Sequence, residues 1–111
     1  MSETIQFTDF LKVELRVGMV TFVKIPEWSE KLLEFRVNFG ATLGEKTIFS
    51  GVQKWYDAAD FLNKKFPFVV NLAERKMGPS VSQGMMLMID NADKPMLINL
   101  DDQAELGAVL C

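Results

Sequence analysis

The sequence predicts one small all-β domain. Its 111 residues are 49% hydrophobic and 24% charged, a composition typical of a globular chain with a single core. Short runs rich in β-branched and aromatic residues recur along it, and glycine or proline separates them. No run approaches the roughly 18 to 20 apolar residues of a membrane span, and the first residues lack the pattern of a signal peptide. We therefore predict a cytoplasmic protein with one domain over residues 1–111.

The first predicted elements are a helical turn and two strands. Thr8 has a residue type that caps helices, so a short helix is predicted after it. The segment from Leu15 to Ile25 favours a strand that ends at Pro26, and Gly18 within it indicates a bulge or bend. Apolar and polar residues then alternate over positions 33–39, which predicts a second strand with one buried face.

The remaining elements complete the order of an OB-fold. They are a hairpin turn over 40–44, a strand over 46–51, a helix of about two turns from Asp57, and strands over 66–70 and 85–89 separated by a polar loop over 71–84. Five strands with a helix between the third and the fourth form a partly open Greek-key barrel. We assign the barrel to residues 8–89. Apolar segments remain at 95–100 and 108–110, so residues 90–111 are predicted to be a C-terminal β extension that forms a dimer.

The charge is unevenly distributed. The net charge is −3, which by itself disfavours a nucleic-acid partner, because phosphate binding depends on lysine and arginine. Residues 90–111, however, carry five acidic side chains and one lysine, while residues 1–89 carry ten acidic and eleven basic side chains. The body of the domain can therefore present a local basic patch, and binding there should be selective for shape and sensitive to salt.

Several kinds of chemistry are excluded by residue type. The sequence has no histidine, which removes histidine-based catalytic triads and histidine metal sites. Its single cysteine, Cys111, cannot form an intramolecular disulfide or a cysteine metal site. The glycines at 40 and 44 resemble a phosphate-binding loop, but Glu45 precedes Lys46 and a strand follows. We therefore predict a protein that is not an enzyme and that holds no metal or cofactor.

Seven short segments carry a resemblance to a known family. They are Lys12–Gly18, Pro26 with Ser29–Leu32, Phe39–Gly40, Ile48 with Ser50–Gly51, Tyr56, Asn71–Leu72 with Arg75–Lys76, and Ser82–Met85. In this order and spacing they resemble the tRNA-binding domain family, which is found free-standing in bacteria and appended to methionyl-tRNA and phenylalanyl-tRNA synthetases. The resemblance implies a non-catalytic OB-fold that acts as a homodimer and binds the body of tRNA through its shape and backbone.

The resemblance also implies a set of tRNA-binding residues. It places Lys31 at the mouth of the barrel, Ser50 beside a glycine, and Asn71, Arg75 and Lys76 in the loop after the fourth strand. The full predicted set is Lys31, Arg36, Asn38, Ser50, Asn71, Arg75, Lys76, Ser82 and Met85. A solvated loop or a solvent-facing strand gives the same pattern for several of these residues.

Departures from the family pattern leave a second function open. Glu74 lowers the positive charge next to Arg75 and Lys76, and Pro79 stiffens the loop. A chaperone-like dimer of the same fold, which binds peptides or proteins in an apolar groove at the dimer seam, is the alternative to tRNA binding. An aminoacyl-tRNA synthetase and an unfolded polypeptide are further candidate partners.

Overall fold

The computed structural model describes residues 2–111 and confirms the predicted all-β OB-fold. Its strands are β1 Leu15–Lys24, β2 Leu33–Asn38, β3 Glu45–Ser50, β4 Lys65–Val69, β5 Arg75–Met77, β6 Ser80–Ser82, β7 Met85–Met86, β8 Met88–Asp90 and β9 Pro95–Leu97. Its helical segments are α1 Phe7–Phe10, α2 Gly40–Leu43 and a 3-10 turn at Ala58–Asp60. As predicted, a short helix lies between the third and fourth strands.

The main sheet has five antiparallel strands in the order β3-β2-β1-β4-β7. β1 is its longest strand, and it pairs with β2 along its second half and with β4 along its first half. The edge strand β3 comes close to the other end of the sheet, where the backbone N–H of Gln83 donates to the Thr47 carbonyl at 2.8 Å. The barrel is therefore nearly closed, and a small barrel protects its edges in this way.

β2 contributes every second side chain to the core of the barrel. Leu33, Phe35 and Val37 are buried on one face of this strand, while Arg36 is exposed on the other, as the sequence period predicts. Five fully buried phenylalanines supply most of the core volume: Phe35, Phe39, Phe61, Phe66 and Phe68. Phe61 comes from the segment after the 3-10 turn and packs against Phe35 with 4.6 Å between ring centroids. The turn therefore closes one end of the barrel.

The bulge predicted at Gly18 is not found there, and a bend at this glycine stays a prediction. The irregularity in β1 lies between Val20 and Phe22, where the register against β2 shifts. Gly18 instead stands where the walls of the barrel approach most closely, because a Cβ atom there would lie 2.5 Å from Val37 Cγ1 and 2.9 Å from Phe68 Cδ1. Its missing side chain leaves room for the core.

The segment 71–84 is not the irregular loop that was predicted. It contains the β5–β6 hairpin, in which Arg75 pairs with Ser82 and Met77 with Ser80. The turn of the hairpin uses Gly78 at φ +54°. Polar residues and Pro79 concealed this element, because its strands have three residues each and show too little alternation to be recognised. The predicted strand 85–89 is also divided, into β7 and β8.

The helical segments are shorter than predicted or begin elsewhere. Gln6, rather than Thr8, precedes the first turn of α1, and its amide donates to the Asp9 carboxylate at 3.1 Å. The predicted two-turn helix from Asp57 is a single 3-10 turn, although Asp57 caps it as expected by accepting from Ala59 N at 3.1 Å. The predicted hairpin turn at 40–44 is the short helix α2. Among residues 2–111 the longest helices have four residues, so no described helix could cross a membrane.

The C-terminal segment packs on its own barrel. β9 pairs with β8, and further along the chain Leu110 N donates to Leu15 O while Val17 N donates to Ala108 O. Through these bonds the last residues lie alongside the first half of β1. They also lie beside the N-terminal segment. Part of the apolar surface predicted to need a partner is therefore covered within the chain, and the dimerisation role of residues 90–111 stays a prediction.

Candidate nucleic-acid interface

Two turns at one end of the barrel are hydrogen-bonded into a rigid unit. The connection from β1 to β2 contains Ser29, whose Oγ accepts from the amides of Lys31 at 3.2 Å and Leu32 at 3.1 Å. Gln53, in the turn after β3, donates from Nε2 to the carbonyls of Ser29 at 3.2 Å and Leu32 at 2.9 Å. Gln53 N also donates to Lys31 O at 3.1 Å. The backbone on both sides is therefore held in place before any ligand arrives.

Trp28 connects this unit to the β5–β6 hairpin. Its ring lies so close to the hairpin turn that a Cβ atom on Gly78 would stand 2.6 Å from it. The ring also packs against Phe49 of β3 with 5.7 Å between centroids. The loop, the hairpin and the end of β3 thus form one surface.

A methionine groove of about 420 Å³ runs along this surface. Its walls are the end of β3, the hairpin and the β7–β8 segment, and they present Ser50, Arg75, Met77, Met85, Met88 and Ile89. Methionine side chains are flexible and polarisable, so such a groove can adapt to ligands of different shape.

A second opening, the Trp55 cleft, adjoins the groove. It has a volume of about 680 Å³ and is lined by Glu30, Lys31, Leu32, Gly51, Lys54 and Trp55. Leu32 and Gly51 line both spaces, so the cleft and the groove are neighbours on the surface.

The cations around these spaces have no ionic partner within the described chain. Over residues 2–111 the only ion pairs within 4 Å are Lys12 with Asp9 and Arg16 with Glu14. Lys31, Lys54 and Arg75 are therefore available to an external anion. Acidic side chains oppose these cations. Asp90 lines the methionine groove, and Glu74 carries the charge that the sequence indicated and accepts from Gln83 Nε2 at its Oε2, at 3.4 Å.

Four of the nine predicted residues meet at this surface. Ser50, Arg75 and Met85 line the methionine groove, and Lys31 lines the Trp55 cleft. Lys76 follows Arg75 in β5 and is exposed, although it lines neither space. These residues lie up to 54 positions apart in the chain, and the barrel brings them together.

Two predicted residues lie elsewhere on the second strand. Arg36 is exposed and places its guanidinium 5.1 Å from the centroid of the Phe22 ring. Asn38 is half-buried, and its Oδ1 accepts from Gly40 N at 2.8 Å at the start of α2. Neither lines the groove or the cleft.

The remaining two predicted residues hold the fold together. Asn71 Oδ1 accepts from Glu14 N at 2.8 Å, and its Nδ2 donates to Lys12 O at 2.6 Å, which ties the N-terminal segment to the end of β4. Ser82 is only 1% exposed; its Oγ accepts from Phe49 N and donates to Gly84 O, both at 3.1 Å. The polar groups of both side chains are therefore already hydrogen-bonded to the protein's own backbone.

Replacing Ser82 with alanine should therefore affect stability. The change leaves the Phe49 amide without its acceptor, and an unsatisfied buried donor costs about 1–3 kcal/mol. We expect urea denaturation to show a loss of unfolding free energy of this size. Ser80→Ala, in the partly exposed first position of the same strand, is the control and should change little. A normally stable S82A protein with weakened RNA binding would instead support the contact role.

Sequence reasoning missed Trp28, Gln53, Lys54 and Trp55. Gln53 has an ordinary surface residue type, and its hydrogen bonds appear only after the chain folds. Lys54 and Trp55 did offer a signal, since a lysine followed by an aromatic residue just after Ser50-Gly51 is a combination suited to nucleic acids.

This chain belongs to the tRNA-binding domain family. The family model described as "Putative tRNA binding domain" matches residues 15–109. The chain is 42% identical over 111 aligned residues to a methionine–tRNA ligase of Chromobacterium violaceum, a match that covers 96% of this chain and 16% of the ligase. It is 40% identical over 97 residues to the ligase of Parabacteroides distasonis, covering 86% of this chain and 14% of that protein. The chain thus spans about one seventh of the length of these relatives.

Solved structures of similar size share the fold. A MetRS-related protein of Pyrococcus horikoshii superimposes with a TM-score of 0.93 at 31% identity, over 99% of this chain and 100% of that one. A CsaA chaperone protein of Picrophilus torridus superimposes with a TM-score of 0.87 at 25% identity, over 97% and 100% of the two chains.

Proposed function

We propose that this chain is a non-catalytic tRNA-binding module that recognises the shape and the phosphate backbone of its ligand. The observation that carries the proposal is the group of unpaired cations, Lys31, Lys54, Arg75 and Lys76, on or beside the methionine groove and the Trp55 cleft in a member of the tRNA-binding domain family. Structured RNA is generally bound through phosphates, 2′-hydroxyls and unstacked bases. Arg75 and Lys31 provide the charge, and the groove provides the shape.

The proposal contains no catalytic step. The sequence has no histidine, and over residues 2–111 no group of three or more acidic or cysteine side chains is arranged to hold a metal ion. The ligases that the chain resembles are matched over only 14% to 16% of their length, so their reaction is not carried over.

Binding to bulk tRNA across a salt series tests this function. If about four cations each neutralise one phosphate, the logarithm of the association constant should fall with the logarithm of salt concentration with a slope near −3. Duplex DNA and an unstructured peptide serve as comparison ligands and should bind more weakly. Absence of tRNA binding at low salt, or equal affinity for duplex DNA, would refute the proposal.

The proposed module acts as a homodimer joined through its chain ends. Phe7 and Leu11 at the N-terminal end and Val109 near the C-terminus are 72%, 60% and 57% exposed. Phe10, Leu11 and Val109 line one shallow opening, so the two chain ends form a single apolar surface. Exposed apolar surface of this kind marks an interaction site, and a symmetric copy is the simplest partner. Two barrels could then hold one tRNA at two points.

Substitution of Phe7 by aspartate should separate the dimer. A charge buried in an apolar interface is strongly unfavourable, so we expect light scattering to change from twice the chain mass of 12.6 kDa to the chain mass itself. Ile25 is also exposed, at 61%, but lies after β1 and away from the chain ends, so Ile25→Asp is the control and should stay dimeric. A monomeric wild-type protein would remove the dimer from the proposal and leave the RNA interface intact.

A chaperone-like function is the second candidate. The methionine groove favours it, because Met77, Met85 and Met88 could pack around apolar side chains of an unfolded polypeptide. The superposition with the CsaA chaperone protein of Picrophilus torridus points the same way. Peptide binding that barely changes with salt, together with no affinity for tRNA, would select this function over the first.

A further inference from the structure

We propose that the Trp55 cleft binds one unstacked nucleotide of the RNA, with its base on the Trp55 ring and its phosphates at Lys31 and Lys54. The inference rests on the proposed tRNA-binding function and adds a subsite to it. It starts from the exposure of Trp55, which is 39% accessible to solvent although it lies in an ordered turn. A partly exposed indole on a hydrogen-bonded turn offers a face on which a base can stack.

The charges around the ring suit a nucleotide. Lys54 Nζ lies 5.4 Å from the centroid of the Trp55 ring, and Lys31 lines the same cleft. Glu30 is the one acidic side chain in the lining, so the cleft has a net positive charge in a chain whose net charge is −3. An anionic ligand with a flat face matches this combination better than an apolar peptide does.

The cleft is formed before the ligand binds. Gln53 ties the turn that carries Trp55 to the loop that carries Lys31 through bonds to the Lys31 and Leu32 carbonyls. Trp55 N donates to Val52 O at 3.0 Å within the same turn. Because the turns are already ordered, binding costs little conformational entropy of the protein. More of the free energy of stacking therefore contributes to the affinity. The floor at Gly51 is open, since a Cβ atom there would have no neighbour within 4 Å.

The position of the cleft next to the methionine groove explains how an RNA strand could reach it. Leu32 and Gly51 belong to both spaces, and Arg75 lines the groove. An RNA whose backbone passes Arg75 can therefore place a neighbouring unpaired nucleotide against Trp55. Unpaired nucleotides of loops and ends are the parts of a structured RNA whose bases are free to stack on protein.

Fluorescence of Trp55 tests the stacking directly. The sequence has two tryptophans, so Trp28→Phe leaves Trp55 as the only reporter. We expect bulk tRNA and a single-stranded RNA hexamer to quench its emission, and a hexamer of the same length with abasic sites to quench it far less. Equal quenching by the abasic RNA would mean that phosphates alone are bound, and it would overturn the base-stacking inference.

Affinity measurements separate this subsite from the general RNA interface. Trp55→Ala should weaken tRNA binding about tenfold, and Trp55→Phe should restore most of the loss, because stacking on an aromatic ring tolerates a change of ring. Leu62 is 41% exposed, so Leu62→Ala is the matched control and should bind normally. Lys54→Gln should lower the salt slope by about one.

The outcomes distinguish the two proposals. Wild-type binding of tRNA with unchanged affinity in W55A and no quenching would refute the nucleotide subsite and leave tRNA binding standing. Failure of the wild type to bind tRNA, with the hexamer still quenching Trp55 and its abasic form not, would refute the proposed function and support the subsite. Displacement of the hexamer by an acidic peptide of equal charge would assign the cleft to a protein ligand and overturn the inference.

Discussion

Replacement of Gly18 by valine is expected to lower the free energy of unfolding by about 3 kcal/mol, at the upper end of the usual cost of overpacking a core. The first added carbon alone would approach Val37 Cγ1 to 2.5 Å and a carbon of the Phe39 ring to 2.7 Å. Both neighbours are fully buried, so neither can move aside without displacing others. Small domains are stable by only about 5–15 kcal/mol, so the loss should be visible as a lower urea midpoint.

A matched glycine provides the control for this change. Gly51 has no atom within 4 Å of the position that a Cβ would take, so Gly51→Ala should unfold close to the wild-type midpoint. Gly18→Ala should be intermediate, because it adds the first clashing carbon without the two that follow. A valine variant at position 18 with wild-type stability would mean that the barrel is less tightly packed around β1 than its contacts indicate.

Loss of charge at the β5–β6 hairpin is expected to have the largest effect on RNA binding. Each cation that neutralises a phosphate contributes a factor of roughly five to eight in affinity at 0.1 M salt, through released counterions. The double variant Arg75→Gln/Lys76→Gln should therefore bind tRNA about 30-fold more weakly at that salt concentration, and its salt slope should fall by about one and a half units toward zero. Both residues are exposed and make few internal contacts, so stability should change little.

The comparison with a distant lysine decides whether this loss reflects contact or overall charge. Lys64 is exposed and lies just before β4, so Lys64→Gln removes one charge outside the groove and the cleft. Lys76→Gln removes one charge at the hairpin. If both single variants weaken tRNA binding equally, the effect is one of net charge and the hairpin has no special role.

Most of the barrel could be predicted from local patterns. The alternation from Leu33 to Val37 and the β-branched run from Leu15 are strong signals, because every second side chain must enter the core. The β5–β6 hairpin could not be predicted, since its strands are too short to show a period. The position of Gly18 was recognised as special, but the reason for it was not, because the residues that crowd it come from β2 and β4.

The sequence by itself determined the all-β fold, the absence of histidine chemistry and the family, through residue types and short segments in a fixed order. Only the tertiary structure decided which predicted residues line the groove and the cleft. Ser82 and Asn71 carry polar groups suited to RNA, yet their hydrogen bonds are already made within the fold. Trp55 and Lys31 are separated by 24 positions and meet because β2 pairs with β3 at Leu33 and Ser50 and because Gln53 joins the turns beyond these strands. A side chain's chemistry is local, whereas its accessibility depends on contacts with residues distant in sequence.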